Sequence, residues 1–159
     1  MTTVQPIPQG FHTVTPYLTV YDAQAAIEFY KRAFGAVEHC RMPGPDGKRI
    51  MHASIQIGDS MVMLSDEMRD YGVVAPTSLG GTPVSIHLYV DNVDAAFERA
   101  VLAGATIDMP VQDTFWGDRF GKLSDPYGHR WSLATCVREV SPEEMMKASK
   151  EAFCDKAKV

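Results

Sequence analysis

The feature that most limits what this chain can become is an internal repeat. Residues 18–28, LTVYDAQAAIE, align with residues 88–98, LYVDNVDAAFE, at an offset of 70, with five identities in eleven positions. After one deletion Gly35-Ala36 meets Gly104-Ala105. Self-similarity of this kind imposes the same local preferences and the same buried face on both copies, so the chain is expected to fold as one supersecondary unit made twice. Its 159 residues suffice for one ordinary domain or two small halves packed together.

Each copy reads as a strand, a helix and three strands. Val14, Pro16, Leu18 and Val20 alternate with Thr15, Tyr17, Thr19 and Tyr21, the period of a half-buried strand. Asp22 fits a helix N-cap, Ala26, Ile27, Tyr30 and Phe34 recur at helical spacing, and Gly35 stands where a left-handed residue ends the helix. The second copy repeats this with Val84, Ile86, Leu88 and Val90, then Asn92, then Phe97, Ala100 and Val101, then Gly104. Further strands are predicted over 37–42, 49–57 and 61–65, and over 106–111, 120–124 and 129–136, with Asp125-Pro126-Tyr127-Gly128 turning the last hairpin.

The chain thus divides into an N-terminal extension (1–12), a first module (13–65), a linker (66–83), a second module (84–136) and a C-terminal segment (137–159). The linker holds three Gly and two Pro, reads as irregular, and has the length of a loop that covers a site. Ser141-Pro142-Glu143-Glu144 is a capping box opening a helix to about Lys156. Its stripe of Met145, Ala148, Ala152 and Phe153 is expected to pack on the body or on a second subunit.

Charge and cysteine content narrow the function. Fifteen Lys plus Arg against 20 Asp plus Glu, with no basic run beyond Lys31-Arg32, give nothing for tracking phosphates, so nucleic acid is not an expected partner. No apolar stretch spans a bilayer, and the N-terminus has no signal-peptide pattern, so a cytoplasmic protein without a membrane partner is expected. Cys40, Cys136 and Cys154 are too few and too scattered for a disulfide framework and read as reduced thiols.

Two β-α-β-β-β modules, the second closing on Asp125-Pro126-Tyr127-Gly128-His129-Arg130-Trp131, resemble the vicinal oxygen chelate superfamily of glyoxalases, bleomycin-resistance proteins and extradiol dioxygenases. The segment 115–121, FWGDRFG, is similar to the uncharacterised, glyoxalase-like branch of that superfamily. The resemblance implies an α+β fold: two tandem βαβββ modules forming a curved, cup-like mixed sheet with helices outside, plus the C-terminal helix. It also implies a cup that holds a ligand, in many members above a divalent metal. The scaffold hosts several chemistries, so the fold does not fix the function.

Strand parity says which side chains such a cup would present. If the helix covers Val84, Ile86, Leu88 and Val90, the opposite face carries Ser85, His87 and Tyr89. The same logic turns Thr15, Tyr17, Thr19, His52, Ser54 and Gln56 inward from the first module, and Arg130, Ser132 and Ala134 from the last strand. A plain solvent-facing sheet gives the same alternation.

The family's metal positions, carried over, fall on Tyr17, Val62, His87 and Ser132. Only His87 is an ordinary ligand for zinc, nickel, iron or manganese, and Ser132 stands where the metal enzymes carry a glutamate. The expectation is therefore a homodimeric protein that binds a small organic ligand without a tightly held metal or other cofactor. Tyr17, His52, Gln56, Tyr89, Trp116, Arg119, Arg130 and Ser132 would contact the ligand, and His87 would carry any proton. The alternatives are a metal-dependent lyase, isomerase or dioxygenase, and a dimeric interaction module with a vestigial cup.

Overall fold

Capping residues fix the helices where the repeat puts them. In the computed structural model, which describes residues 4–154 and side chains through Ala152, Asp22 accepts a hydrogen bond from the Ala25 N–H (2.9 Å) and starts α1 (Ala23–Phe34). Asn92 does the same for Ala95 (3.0 Å) at α3 (Val93–Ala103). Gly35 and Gly104 end the two helices at φ of 68° and 119°, a region that costs a side-chain-bearing residue energy.

Around each helix the strands follow one plan. The first module contains β1 (Tyr17–Val20), β2 (Val37–Pro43), β3 (Ile50–Ile57) and β4 (Ser60–Asp66), ordered β1-β4-β3-β2. The second contains β5 (Ser85–Tyr89), β6 (Thr106–Asp113), β7 (Asp118–Ser124) and β8 (Arg130–Cys136), ordered β5-β8-β7-β6. In both, the first strand runs parallel to the last and the other pairs are antiparallel. The α+β class and the tandem modules are as expected, with boundaries moved by a few residues. β7 begins two residues earlier than its sequence pattern suggests, which brings Asp118 into the strand.

Each sheet buries one face under its helix. Leu18, Val20, Ile55 and Leu64 on one sheet, and Leu123, Trp131 and Leu133 on the other, join α1 and α3 in a single apolar core. The expected helical stripes are buried, except that Val101 is only partly covered. At about 25 cal/mol per Å² of apolar surface removed from water, this shared core is what holds the modules together.

One buried side chain organises the junction. Asp125, at the start of the predicted turn, accepts hydrogen bonds from the backbone N–H groups of Tyr127 and His129, both at 2.9 Å, which shape that turn. Its other oxygen accepts the Tyr30 hydroxyl (2.7 Å) from α1 and the Trp131 indole N–H (2.9 Å) from β8. Phe34 packs on Trp131 with ring centres 4.6 Å apart, and His129 Nε2 lies 2.9 Å from the Thr19 carbonyl oxygen of β1. Burial first, and then the neighbouring Asp125, hold the Tyr30 hydroxyl well above its ordinary pKa, so it stays a donor.

Two segments differ from the sequence expectation. The linker is ordered: a 3₁₀ turn (Arg69–Tyr71) and a one-turn helix, α2 (Pro76–Leu79), are gathered by Glu67. Its carboxylate accepts from the Ala75 N–H, the Ser78 hydroxyl and the Arg69 guanidinium at 3.1, 2.7 and 3.0 Å. Elements this short carry no hydrophobic period to read. The C-terminal helix, α4 (Pro142–Cys154), opens with the expected reciprocal capping box between Ser141 and Glu144. However, Met145 and Ala148 are only half-buried and Ala152 is exposed, so α4 adds no buried face to this chain's core. The expectations for the Phe153 side chain, the Cys154 thiol and Lys156 lie outside the described residues. No helix among the described residues is long and apolar enough to cross a membrane.

The junction predicts an unusual substitution result. An indole N–H can only donate, so Asp125→Asn places an amide where two donors converge and should destabilise by about 2–3 kcal/mol, nearly as much as Asp125→Ala. Chemical denaturation of the two variants checks this.

Candidate functional site

The registers of β5, β8 and β7 decide which side chains meet on the face left open by α3. His87 pairs with Ser132, Tyr89 with Ala134, Phe120 with Ala134, and Asp118 with Cys136. Residues opposite one another in register project to the same face. His87, Tyr89, Ser132, Phe120 and Asp118 are therefore brought together, and Trp116, from the loop before β7, joins them by donating its indole N–H to Asp118 (3.0 Å).

His87 lies at one side of this group, on the edge strand β5. Its Nδ1 is 2.8 Å from the Ser132 hydroxyl oxygen. The edge of its ring meets Tyr89 at 4.6 Å between centres, and it lies nearly parallel to Phe120 at 6.1 Å. Trp116 stands edge-on to Phe120 at 5.6 Å. Partial desolvation lowers the His87 pKa below its ordinary value of 6.5, outweighing the opposite pull of Asp118, although the ring keeps an exposed edge. The ring is thus neutral at pH 7. With Nδ1 engaged by Ser132, the second nitrogen is left to act, as a donor when Nδ1 accepts from the hydroxyl and as a base when Nδ1 donates to it.

Asp118 holds the aromatic wall in place. It is buried and accepts from both the Trp116 indole and the Tyr89 hydroxyl, the latter at 3.3 Å. Its charge, helped by partial desolvation, raises the Tyr89 phenol pKa and keeps the hydroxyl protonated. The sequence reading missed Asp118 and Phe120 because it began β7 at Phe120, which left Asp118 in a loop. The alternation Asp118, Phe120, Lys122 was the signal available.

Other predicted ligand contacts are placed elsewhere. Tyr17 and His52 pair on the open face of the first sheet, hydroxyl to Nδ1 at 2.9 Å, and Gln56 bonds to His39 there. Arg119 is a correction: one residue out of phase with Asp118, it turns toward α3 and is held by Asp94 (2.7 Å) and Asp113 (3.1 Å). Arg130 shares the face of His87 but lies at its far end, opposite Ser85. Val62 is also corrected. It pairs with Ile55 on the buried side, and it is Met63 that stands opposite Tyr17.

The donors around His87 do not make an ordinary divalent-metal site. Its near neighbours are a hydroxyl and aromatic rings, and Asp118 already serves two donors. Among the described residues, no three His, Cys, Asp or Glu side chains come together as a metal-binding group. Beside His87 and Tyr89, along the free edge of β5, lies a cavity of about 790 Å³ bounded on the other side by Pro16, Asp59 and Met61. That is the size of a small-molecule site.

Comparison with known proteins agrees with this architecture. Residues 10–133 match the family model of the Glyoxalase/Bleomycin resistance protein/Dioxygenase superfamily. The chain is 51% identical over 138 residues to an uncharacterised protein of Mycobacterium tuberculosis, covering 85% of this chain and 81% of that one. It is 30% identical over 142 residues to protein YjdN of Escherichia coli, covering 76% of this chain and 92% of that protein. Among solved structures it is similar to TioX of a Micromonospora species, with a TM-score of 0.64 and 31% identity over 79% of this chain and 99% of that one. The fosfomycin resistance protein FosX of Mesorhizobium loti, at 16% identity and a TM-score of 0.59 over 85% of this chain and 97% of that one, shares the fold. Sequence match and topology together place the chain in the Glyoxalase/Bleomycin resistance protein/Dioxygenase superfamily.

Proposed function

We propose that this chain binds a small planar organic ligand over the His87–Ser132 face, with no resident divalent metal. The observation that carries the reading is an aromatic wall, Tyr89 and Phe120 extended by Trp116, beside a neutral imidazole whose Nδ1 is already engaged. Aromatic walls supply stacking area at low entropic cost, and the second imidazole nitrogen supplies one directional hydrogen bond. If a reaction follows binding, His87 is the group placed to carry the proton, because partial desolvation favours its neutral form near neutrality.

The protein is expected to act as a homodimer. Tyr17 is 49% exposed and Tyr89 67% exposed, so neither sheet's ligand-side face is closed within one chain, and the inner face of α4, at Met145 and Ala148, is only half-covered. A second copy would supply the missing wall. Two free, exposed thiols, Cys40 and Cys136, suit a reducing cytoplasmic setting.

Three measurements check these points. In a titration with para-phenylphenol, the parent protein should rise in melting temperature, while Trp116→Ala/Phe120→Ala should not respond; no response in the parent overturns the reading. Protein purified without chelator should carry no stoichiometric metal; an equivalent of nickel, zinc, iron or manganese that disappears in His87→Ala overturns the metal-free part. The His87 imidazole should titrate with a midpoint below 6.5, rising toward 6.5 in Phe120→Ala as the ring that lies over it is removed. Because its folded pKa is depressed, the unfolded ring takes up its proton first as pH falls through 6.5, and the stability that neutral His87 contributes is then lost.

A further inference from the structure

The open face of the second sheet is graded along its strands. Three rows cross β7, β8 and β5 in register. Phe120, Ala134 and Tyr89 form the first, Lys122, Ser132 and His87 the second, and Ser124, Arg130 and Ser85 the third. One end is aromatic, the middle holds the imidazole, Ser132 and the first cation, Lys122, and the far end holds the second, Arg130. Rows two residues apart on a strand lie about 7 Å from one another, so the face runs roughly 13 Å from ring to guanidinium.

The two cations are available. No carboxylate among the described residues lies within ion-pairing distance of Lys122 or Arg130, whereas Arg119, Arg41, Arg69 and Lys31 are all paired. Lys122 and Arg130 line one concavity of about 510 Å³ together with Ser85 and Asp108. Asp108 accepts the Ser124 hydroxyl at 2.6 Å, and the two cations outnumber it. Lys122 Nζ also sits 5.9 Å from the centre of the Phe120 ring, so the positive end begins directly beside the aromatic one.

We infer that the ligand of this face is a planar aromatic or conjugated molecule carrying an anionic group, carboxylate or phosphate, at one end. This rests on the reading of the His87–Ser132 face as the ligand site and names the class of ligand it takes. The ring stacks among Phe120, Tyr89 and Trp116, the body passes His87, and the anion meets Lys122 and Arg130. Arg130 presents a fork of N–H donors matched to a carboxylate or phosphate, and Lys122 adds a point charge that reaches either.

The test uses three probes with one biphenyl body: para-phenylphenol, para-phenylbenzoate and para-phenylphenyl phosphate. Calorimetric titration of the full chain should show at least one anionic probe binding about tenfold tighter than the phenol, with that advantage shrinking as salt is raised. Lys122→Gln/Arg130→Gln, two exposed changes that leave the core untouched, should abolish the advantage and keep the phenol's affinity. The better of the two anions tells carboxylate from phosphate. Equal binding of all three probes by the parent overturns this inference while leaving ligand binding intact, as does an anionic advantage that survives in the double variant. Failure of every probe overturns both.

Discussion

A buried carboxylate with four donors around it is the constraint from which the rest of the structure follows. Asp125 cannot be left in an apolar interior unsatisfied, and its partners come from three places: its own turn, β8 and α1 of the other module. Satisfying it fixes the turn that launches β8, orients Trp131 toward Phe34, and sets the position of α1 against the second sheet. Once those are fixed, parity leaves no choice about which face of β8 carries Ser132. The site is thus located by a group that takes no part in it.

The two modules use the same framework for different surfaces. At the positions where β1 and β5 present their open-face side chains, the first module has Tyr17, tied to His52, and the second has His87, tied to Ser132. On the second sheet the rings of Tyr89 and Phe120 flank one side of the imidazole, and partial desolvation favours its neutral form. On the first, the Tyr17 hydroxyl and the His52 imidazole satisfy one another, with Met63 and Met42 as their register partners. Duplication fixed the frame, and divergence at alternate residues separated the faces without disturbing the shared core.

Much of this was legible in the sequence, for identifiable reasons. The repeat, the Asp22 and Asn92 caps and the glycine stops are local signals, and the structure keeps all of them. That His87 and Ser132 share the open face followed from strand alternation, and that they are neighbours followed from the family resemblance. Arg119 and Val62 were misplaced because parity depends on where a strand begins and how two strands register, and a shift of one residue exchanges the faces. Asp118 stayed hidden for the same reason. Asp125 was visible as a turn residue, but its role as a receptor for Tyr30, 95 positions away, is a tertiary fact with no local mark.

The sharing of that hydrogen bond between halves bears on how the chain is divisible. A polypeptide ending in the linker would carry Tyr30 and Phe34 with no surface to rest on. One beginning there would expose Trp131 and leave Asp125 short of a donor. Although the chain repeats one supersecondary plan, each half on its own leaves part of this junction without its partner. Separately made fragments would be expected to regain structure only by finding each other.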